Sequence, residues 1–168
     1  MKKRRRWPVV LALWMIFISL VGCVTYLSFQ NGDDARELGK QMIMHIAETQ
    51  NSGESVTQKQ LDALTYEIRQ GGRIIAFLLI GIIGTITIHV SCKKNNWLLQ
   101  TTITAMVLVA IAYFTEKLKI YIPSRHYSYE EMLISISAVI VGFSVVSVIT
   151  LVFKAVKGFF KLMMASHI

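Results

Sequence analysis

Four long stretches of this chain contain no charged side chain, and they limit the available folds more than any other feature. They are residues 7–29, 74–92, 98–115 and 132–153, with 23, 19, 18 and 22 residues. A helix of about 20 apolar residues crosses the roughly 30 Å of hydrocarbon in a bilayer. A soluble core is excluded, because a chain of 168 residues leaves too little polar surface to cover four such helices. The sequence therefore predicts an all-α membrane protein with four transmembrane helices.

The charges between these stretches predict how the protein sits in the membrane. With a cytoplasmic N-terminus, residues 1–6, 93–97 and 154–168 lie inside and carry ten Lys or Arg and no acidic residue. All ten Asp and Glu then lie outside with the other eight basic residues. We therefore expect a single domain, residues 1–168, in the cell membrane, with both termini cytoplasmic and residues 154–168 forming a basic amphipathic tail.

The net charge of +8 is also explained by this orientation. Basic residues beside the spans orient the chain and attract anionic membrane lipids. Lipids are therefore expected partners and nucleic acid is not. The sequence contains no motif for a phosphate loop, haem, flavin or metal, so no cofactor is expected.

The loop between the first two spans, residues 30–73, is the only sizeable stretch expected outside the membrane. Its apolar residues recur with helical periodicity in two segments, residues 34–50 and 57–70, separated by Asn-Ser-Gly. This pattern predicts two short amphipathic helices in the outer loop, which lie on the membrane surface or cap the bundle.

The first span has two interpretations. Leu-Val-Gly-Cys at residues 20–23 fits the lipobox of a bacterial lipoprotein signal, which would be cleaved and lipidated at Cys23. However, the apolar run continues to Phe29 and reaches full spanning length, which favours a retained signal-anchor helix. Lipidation at Cys23 remains the alternative.

Polar side chains are expected at the outer ends of all four spans. At about 1.5 Å per residue, the third span places Glu116 close to the outer headgroup boundary and Lys119 one turn further on. The candidate site residues at this depth are Gln30, Arg69, Arg73, Glu116, Lys119, Arg125 and Glu131. Ionisable groups at a membrane boundary pair, face inward or point to water. The spacing alone is consistent with one shared electrostatic site and with a solvated rim.

Three stretches of the chain carry a family resemblance. The first is Leu-Ser-Phe-Gln-Asn-Gly at residues 27–32, and the second is Ile-Arg-Gln-Gly-Gly-Arg-Ile-Ile-Ala-Phe at residues 68–77. The third contains Glu116, Pro123, Arg125, Glu131 and Gly142 in order. In these stretches the chain resembles the VanZ-like family, small multi-span membrane proteins named after a teicoplanin-resistance protein.

The resemblance covers most of residues 27–145 and includes four departures from the family pattern. Arg73 stands in the place of a histidine and Phe77 in the place of a tyrosine, while Lys119 and Ser135 replace a glutamine and an asparagine. The resemblance implies a divergent member with a role in the cell envelope and, as for the namesake, in lowering susceptibility to the glycopeptide teicoplanin.

Three functions remain open at this point. The first is a non-enzymatic module whose outer-leaflet site binds an amphipathic ligand, such as a lipid headgroup, a lipid-linked envelope precursor or a lipoglycopeptide. The second is an accessory or regulatory subunit that docks a partner through residues 34–70. The third is an enzyme acting on a lipid-linked substrate, for which Ser124, His126, Ser128 and Glu131 supply the residue types but are close only in sequence.

Overall fold

The computed structural model describes residues 7–29, 41, 58–92, 96–121 and 128–165. These residues form four α-helices: α1, Trp7–Phe29; α2, Gln58–Ser91; α3, Trp97–Lys117; and α4, Tyr129–Ala165. A turn of 3₁₀ helix, Leu118–Tyr121, follows α3. All four helices are long and apolar enough to cross a membrane, as expected of a multi-pass membrane protein. The predicted all-helical fold with four spanning helices is confirmed at this level, while the orientation stays a prediction.

The second loop helix is not a separate element. The predicted helix 57–70 and the predicted span 74–92 form one continuous helix of 34 residues, α2, which passes through Gly71 and Gly72. A glycine costs about 1 kcal/mol in a helix interior, a penalty that packing of the rest of the helix outweighs. The other predicted loop helix, residues 34–50, lies outside the described residues except for Gln41, which is helical.

The last span and the basic tail also form one helix. α4 has 37 residues, where the sequence predicts a span over 132–153 and a distinct tail. At 1.5 Å per residue it is about 55 Å long, much longer than the roughly 30 Å of bilayer hydrocarbon. Its C-terminal part, with the exposed residues Lys154 and Lys157, therefore extends past the apolar layer.

Helix α2 is the centre of the bundle and packs against α1, α3 and α4. It runs parallel to α4. Arg73 on α2 pairs with Glu131 on α4, and later in both helices Gly81 on α2 packs against Gly142 on α4. The two backbones touch at the glycine pair: a Cβ on Gly81 would lie 2.5 Å from the carbonyl oxygen of Val139. Only residues without a side chain permit so close an approach of two helices.

Helix α3 runs antiparallel to α2. Near its start, Gln100 Nε2 donates a hydrogen bond to the carbonyl oxygen of Ile88, 3.1 Å away. Near its end, Glu116 reaches Arg73, which lies fifteen residues before Ile88 on α2. Three threonine hydroxyls of α3 donate to the carbonyl oxygen four residues earlier in the same helix; they belong to Thr101, Thr102 and Thr104.

The core lies where all four helices meet. Its buried apolar side chains are Phe17, Phe77, Ile80, Leu108, Ala112, Ala138 and Val139. Gly84 makes room for this packing, because a Cβ there would lie 2.7 Å from Phe17 Cε2 and 2.6 Å from Leu108 Cδ2. Phe17 is the one side chain of α1 that is fully buried, and the remaining surface of α1 mostly faces away from the bundle.

Candidate functional site

Five polar side chains from three helices meet at one end of the bundle, where α3 ends and α4 begins. We call this group the charged cluster; its members are Arg73, Glu116, Lys119, Glu131 and Ser135. Glu116 and Ser135 are 0% exposed and Lys119 is 1% exposed. The side chains of Arg73 and Glu131 are 12% and 22% exposed. The cluster therefore has a closed inner part and a partly open outer part.

The inner part consists of an ion pair and a hydroxyl. Lys119 Nζ lies 2.5 Å from Glu116 Oε2, and the 3₁₀ turn Leu118–Tyr121 brings the lysine back towards the end of α3. Ser135 Oγ lies 3.3 Å from Glu116 Oε1 and 3.0 Å from the carbonyl oxygen of Glu131, so its single proton is shared between two acceptors. Both oxygens of Glu116 thus have donors inside the protein.

The outer part is centred on Arg73. Its Nη2 donates to Glu131 Oε2 over 2.7 Å, and Lys119 Nζ lies 3.5 Å from the same oxygen. Arg73 Nε is 3.7 Å from Glu116 Oε1, which is an electrostatic contact too long for a hydrogen bond. Arg73 Nη1 is buried and has no hydrogen-bond partner among the described residues. The guanidinium is therefore satisfied on one side only.

The cluster carries two positive and two negative side chains. Such a balance is what burial requires, because an isolated buried charge costs several kcal/mol and is retained only when it is paired. Each anion contacts both cations, and the four side chains come from α2, α4 and the end of α3. The network therefore links the ends of these elements, whatever its net effect on stability.

The distance from the cluster to the other end of the bundle is close to the thickness of the hydrocarbon layer of a bilayer. At 1.5 Å per residue, Arg73 is about 27 Å from Ser91 along α2, and Glu116 is about 28 Å from Trp97 along α3. At that other end, Lys154 Nζ lies 5.4 Å from the centre of the Trp97 ring. This separation is close to the roughly 30 Å thickness of a bilayer core, so we expect the cluster near one boundary of the apolar layer.

The structure brings together four of the seven predicted site residues: Arg73, Glu116, Lys119 and Glu131. These four form one buried network rather than a solvated rim. Arg69 is half-buried and makes no ion pair with another described residue. Gln30 and Arg125 lie outside the described residues. Ligand binding by any of the seven residues stays a prediction.

Ser135 belongs to the charged cluster but is not one of the seven predicted site residues. It follows Glu131 by four residues, a spacing that places two side chains on the same face of a helix. That spacing, applied to the start of the fourth span, would have identified it. Its hydroxyl donates a hydrogen bond to Glu116 Oε1.

Ser128, one residue of the enzyme hypothesis, has a structural role. Its Oγ accepts a hydrogen bond of 3.4 Å from the backbone N–H of Glu131, as expected of a serine that caps the N-terminus of a helix. Ser124 and His126 lie outside the described residues. Among the described residues the Ser135 hydroxyl does contact a carboxylate, Glu116, but both side chains are fully buried.

Cys23 is an exposed free thiol in the middle of α1. Helix α1 continues without a break through the lipobox-like residues to Phe29. Cleavage before Cys23 would remove Phe17 from the core, so the packing favours the retained helix. Lipidation at Cys23 stays an untested alternative.

Comparisons of the chain with protein-family models, with curated proteins and with solved structures find no match. The resemblance to VanZ-like proteins therefore depends on the sequence patterns quoted above.

Proposed function

We propose that the chain is a non-enzymatic, VanZ-like protein of the bacterial cell membrane whose charged cluster binds the polar headgroup of an amphipathic or lipid-linked ligand. The observation that carries this proposal is Arg73, a guanidinium near the expected boundary of the apolar layer with one buried nitrogen that has no hydrogen-bond partner among the described residues. Arginine pairs well with phosphate and carboxylate groups through its planar set of donors. The positive-inside pattern places this end of the bundle on the outer face of the membrane.

The surroundings of Arg73 suit a ligand that has a hydrocarbon tail. Ile74 and Ile75 follow Arg73 on α2, Leu133 lies close to Glu131 on α4, and all three side chains are exposed. A headgroup at Arg73 would thus lie beside apolar helix surface along which an acyl chain can pack. A lipid headgroup, a lipid-linked envelope precursor and a lipoglycopeptide all combine a polar group with such a tail.

A role in lowering teicoplanin susceptibility follows if the ligand is that acylated glycopeptide or the precursor that it binds. The test is to express the wild-type chain, Arg73→Gln and Glu130→Gln in a teicoplanin-susceptible Gram-positive host. Glu130→Gln is the matched control, because Glu130 is exposed and lies outside the charged cluster.

We expect the wild-type chain and Glu130→Gln to raise the minimal inhibitory concentration of teicoplanin, and Arg73→Gln to leave it at the level of the empty vector. Membrane fractions are probed to verify that all three proteins insert at equal amounts. Equal protection by wild type and Arg73→Gln would show that the cluster has no part in the phenotype.

One observation supports a second function, that of an accessory subunit docking a partner through residues 34–70. Three apolar side chains on α2 before the cluster are exposed: Leu64, Tyr66 and Ile68. Leu64 and Ile68 belong to the apolar face predicted for the helix over residues 57–70. A stoichiometric partner that co-purifies with wild type and is lost from Leu64→Ser/Ile68→Ser would favour docking. Retention of the partner by that variant would exclude this surface.

A further inference from the structure

Glu131 occupies the position at Arg73 that an anionic ligand would take. Its Oε2 accepts from Arg73 Nη2 over 2.7 Å, while Arg73 Nη1 has no partner among the described residues. Guanidinium groups bind phosphate and carboxylate groups most strongly through two parallel N–H···O bonds. Glu131 is thus a partial substitute for a group that could use both nitrogens.

The two carboxylates of the cluster differ in how readily they could move away from the cations that they contact. Glu116 is 0% exposed, and its two oxygens accept from Lys119 and Ser135. Glu131 is 22% exposed and lies in the first turn of α4, next to Glu130, which is exposed. A rotation of the Glu131 side chain towards the surface would therefore release Arg73 without disturbing the inner ion pair.

Charge balance favours a ligand with a single negative charge. With Glu131 withdrawn, Arg73 and Lys119 face Glu116 alone, which leaves one positive charge in excess. A phosphodiester, with a single negative charge, restores neutrality at the boundary of the apolar layer. A phosphomonoester carries about −1.5 to −2 charges at neutral pH and would leave the buried group with an excess of negative charge.

We infer, on the basis of the function proposed above, that the site takes a phosphodiester headgroup and that Glu131 is a built-in competitor for Arg73. Binding then exchanges one anion for another: the Arg73–Glu131 ion pair opens, and the phosphodiester oxygens accept from Nη1 and Nη2. The carboxylate keeps an empty site neutral. It also sets the ligand affinity, because every bound anion has to displace it.

The experiment uses the full-length protein in a maltoside detergent, titrated calorimetrically with dihexanoyl phosphatidylglycerol. Glycerophosphoglycerol, the same headgroup without acyl chains, is the second probe and separates phosphodiester recognition from a contribution of the lipid tail. The proteins are wild type, Glu131→Gln, Arg73→Gln and the double variant Arg73→Gln/Glu131→Gln. Glu130→Gln is the control, because it removes the same charge from the adjacent, exposed position.

We expect Glu131→Gln to bind dihexanoyl phosphatidylglycerol about tenfold more tightly than wild type, since one charge-assisted hydrogen bond no longer competes. Arg73→Gln and the double variant should lose binding, and Glu130→Gln should bind like wild type. Glycerophosphoglycerol should show the same order of affinities among the variants. If Glu131→Gln does not fold, Glu131→Asp, which shortens the competing side chain by one methylene, should show a smaller gain.

Two results would overturn the inference in distinguishable ways. Binding that is lost in Arg73→Gln but not tightened in Glu131→Gln or Glu131→Asp would show a headgroup site without a competing carboxylate, so that the proposed function stands alone. Lipid binding that is equal in wild type and the double variant would show that the acyl chains alone drive it, and both proposals would fail.

Discussion

The two ends of the bundle hold their polar side chains in different ways. At the cluster end, two cations and two anions are largely withdrawn from solvent, and each cation contacts both anions. At the opposite end, Trp14 Nε1 donates to Ser91 Oγ over 3.0 Å in an exposed position, and Lys154 lies over the Trp97 ring. The cluster end thus holds a connected network of ion pairs, whereas the opposite end holds separate single contacts near the edge of the apolar layer.

The difference shows what burial demands of a charge. A tryptophan or a lysine at the membrane interface keeps one end in water and needs no specific partner. A fully buried glutamate or lysine needs one, because its charge has lost its hydration. We therefore expect substitutions at the cluster end to be costly when they leave a charge unpaired, and those at the opposite end to have small effects.

The largest effect is expected from Glu116→Ala. It removes the main partner of Lys119, which is 1% exposed, and among the described residues leaves the Glu131 oxygen, 3.5 Å from Nζ, as its remaining anionic partner. Breaking one side of a buried pair costs about 3–5 kcal/mol. Thermal unfolding in detergent should show this loss. Glu130→Ala, an exposed acidic residue outside the cluster, should stay within about 0.5 kcal/mol of wild type. Equal unfolding of both variants would show that the buried Glu116 needs its partners no more than an exposed carboxylate does.

A smaller effect is expected from Gly81→Ala, which tests whether the middle of the bundle depends on backbone contact between α2 and α4. The added methyl group would meet the Val139 carbonyl oxygen at 2.5 Å, and overpacking of this kind costs about 1–3 kcal/mol. Gly71→Ala is the matched control on the same helix, since no atom lies within 4 Å of its added Cβ. The control should stabilise the helix by up to about 1 kcal/mol. A stabilising Gly81→Ala would contradict the close packing of the two helices.

The smallest effect is expected from Trp14→Phe at the opposite end. The change keeps an aromatic ring beside Phe17 but removes the donor to Ser91, an exposed hydrogen bond worth about 0.5–1 kcal/mol. Ser91→Ala removes the acceptor of the same bond and should give a similar unfolding temperature. A loss as large as that of Glu116→Ala would show that the opposite end is also a specific network.

The four spans could be predicted because an uncharged apolar run of sufficient length is stable in a bilayer as a spanning helix. The ends of α2 and α4 could not be predicted in the same way. Gly71 and Gly72, after an amphipathic stripe, are typical of a boundary between two helices, yet α2 continues through them. Likewise, Lys154 marks the end of the apolar run, but a charge at the membrane surface does not stop a helix.

The sequence could predict that these charged residues lie at a similar depth, because depth in the membrane follows from residue number within a span. Counting 1.5 Å per residue from the opposite end puts Arg73 and Glu116 at one level and Glu131 within about one helical turn of it. The rotation of each helix about its axis does not follow from such a count. For this reason the sequence could not show that Arg73 joins the network while Arg69, one helical turn earlier, makes no ion pair with a described residue.

The central claim, that Arg73 and Glu131 pair within one charged cluster, is tested most directly by exchanging their charges. The unfolding temperatures of Arg73→Glu, Glu131→Arg and the variant carrying both changes are compared with that of wild type. Each single reversal places like charges together and should lower the temperature strongly, while the exchanged pair should recover most of the loss. Single reversals without effect, or losses that simply add in the double variant, would contradict the pairing of these two residues.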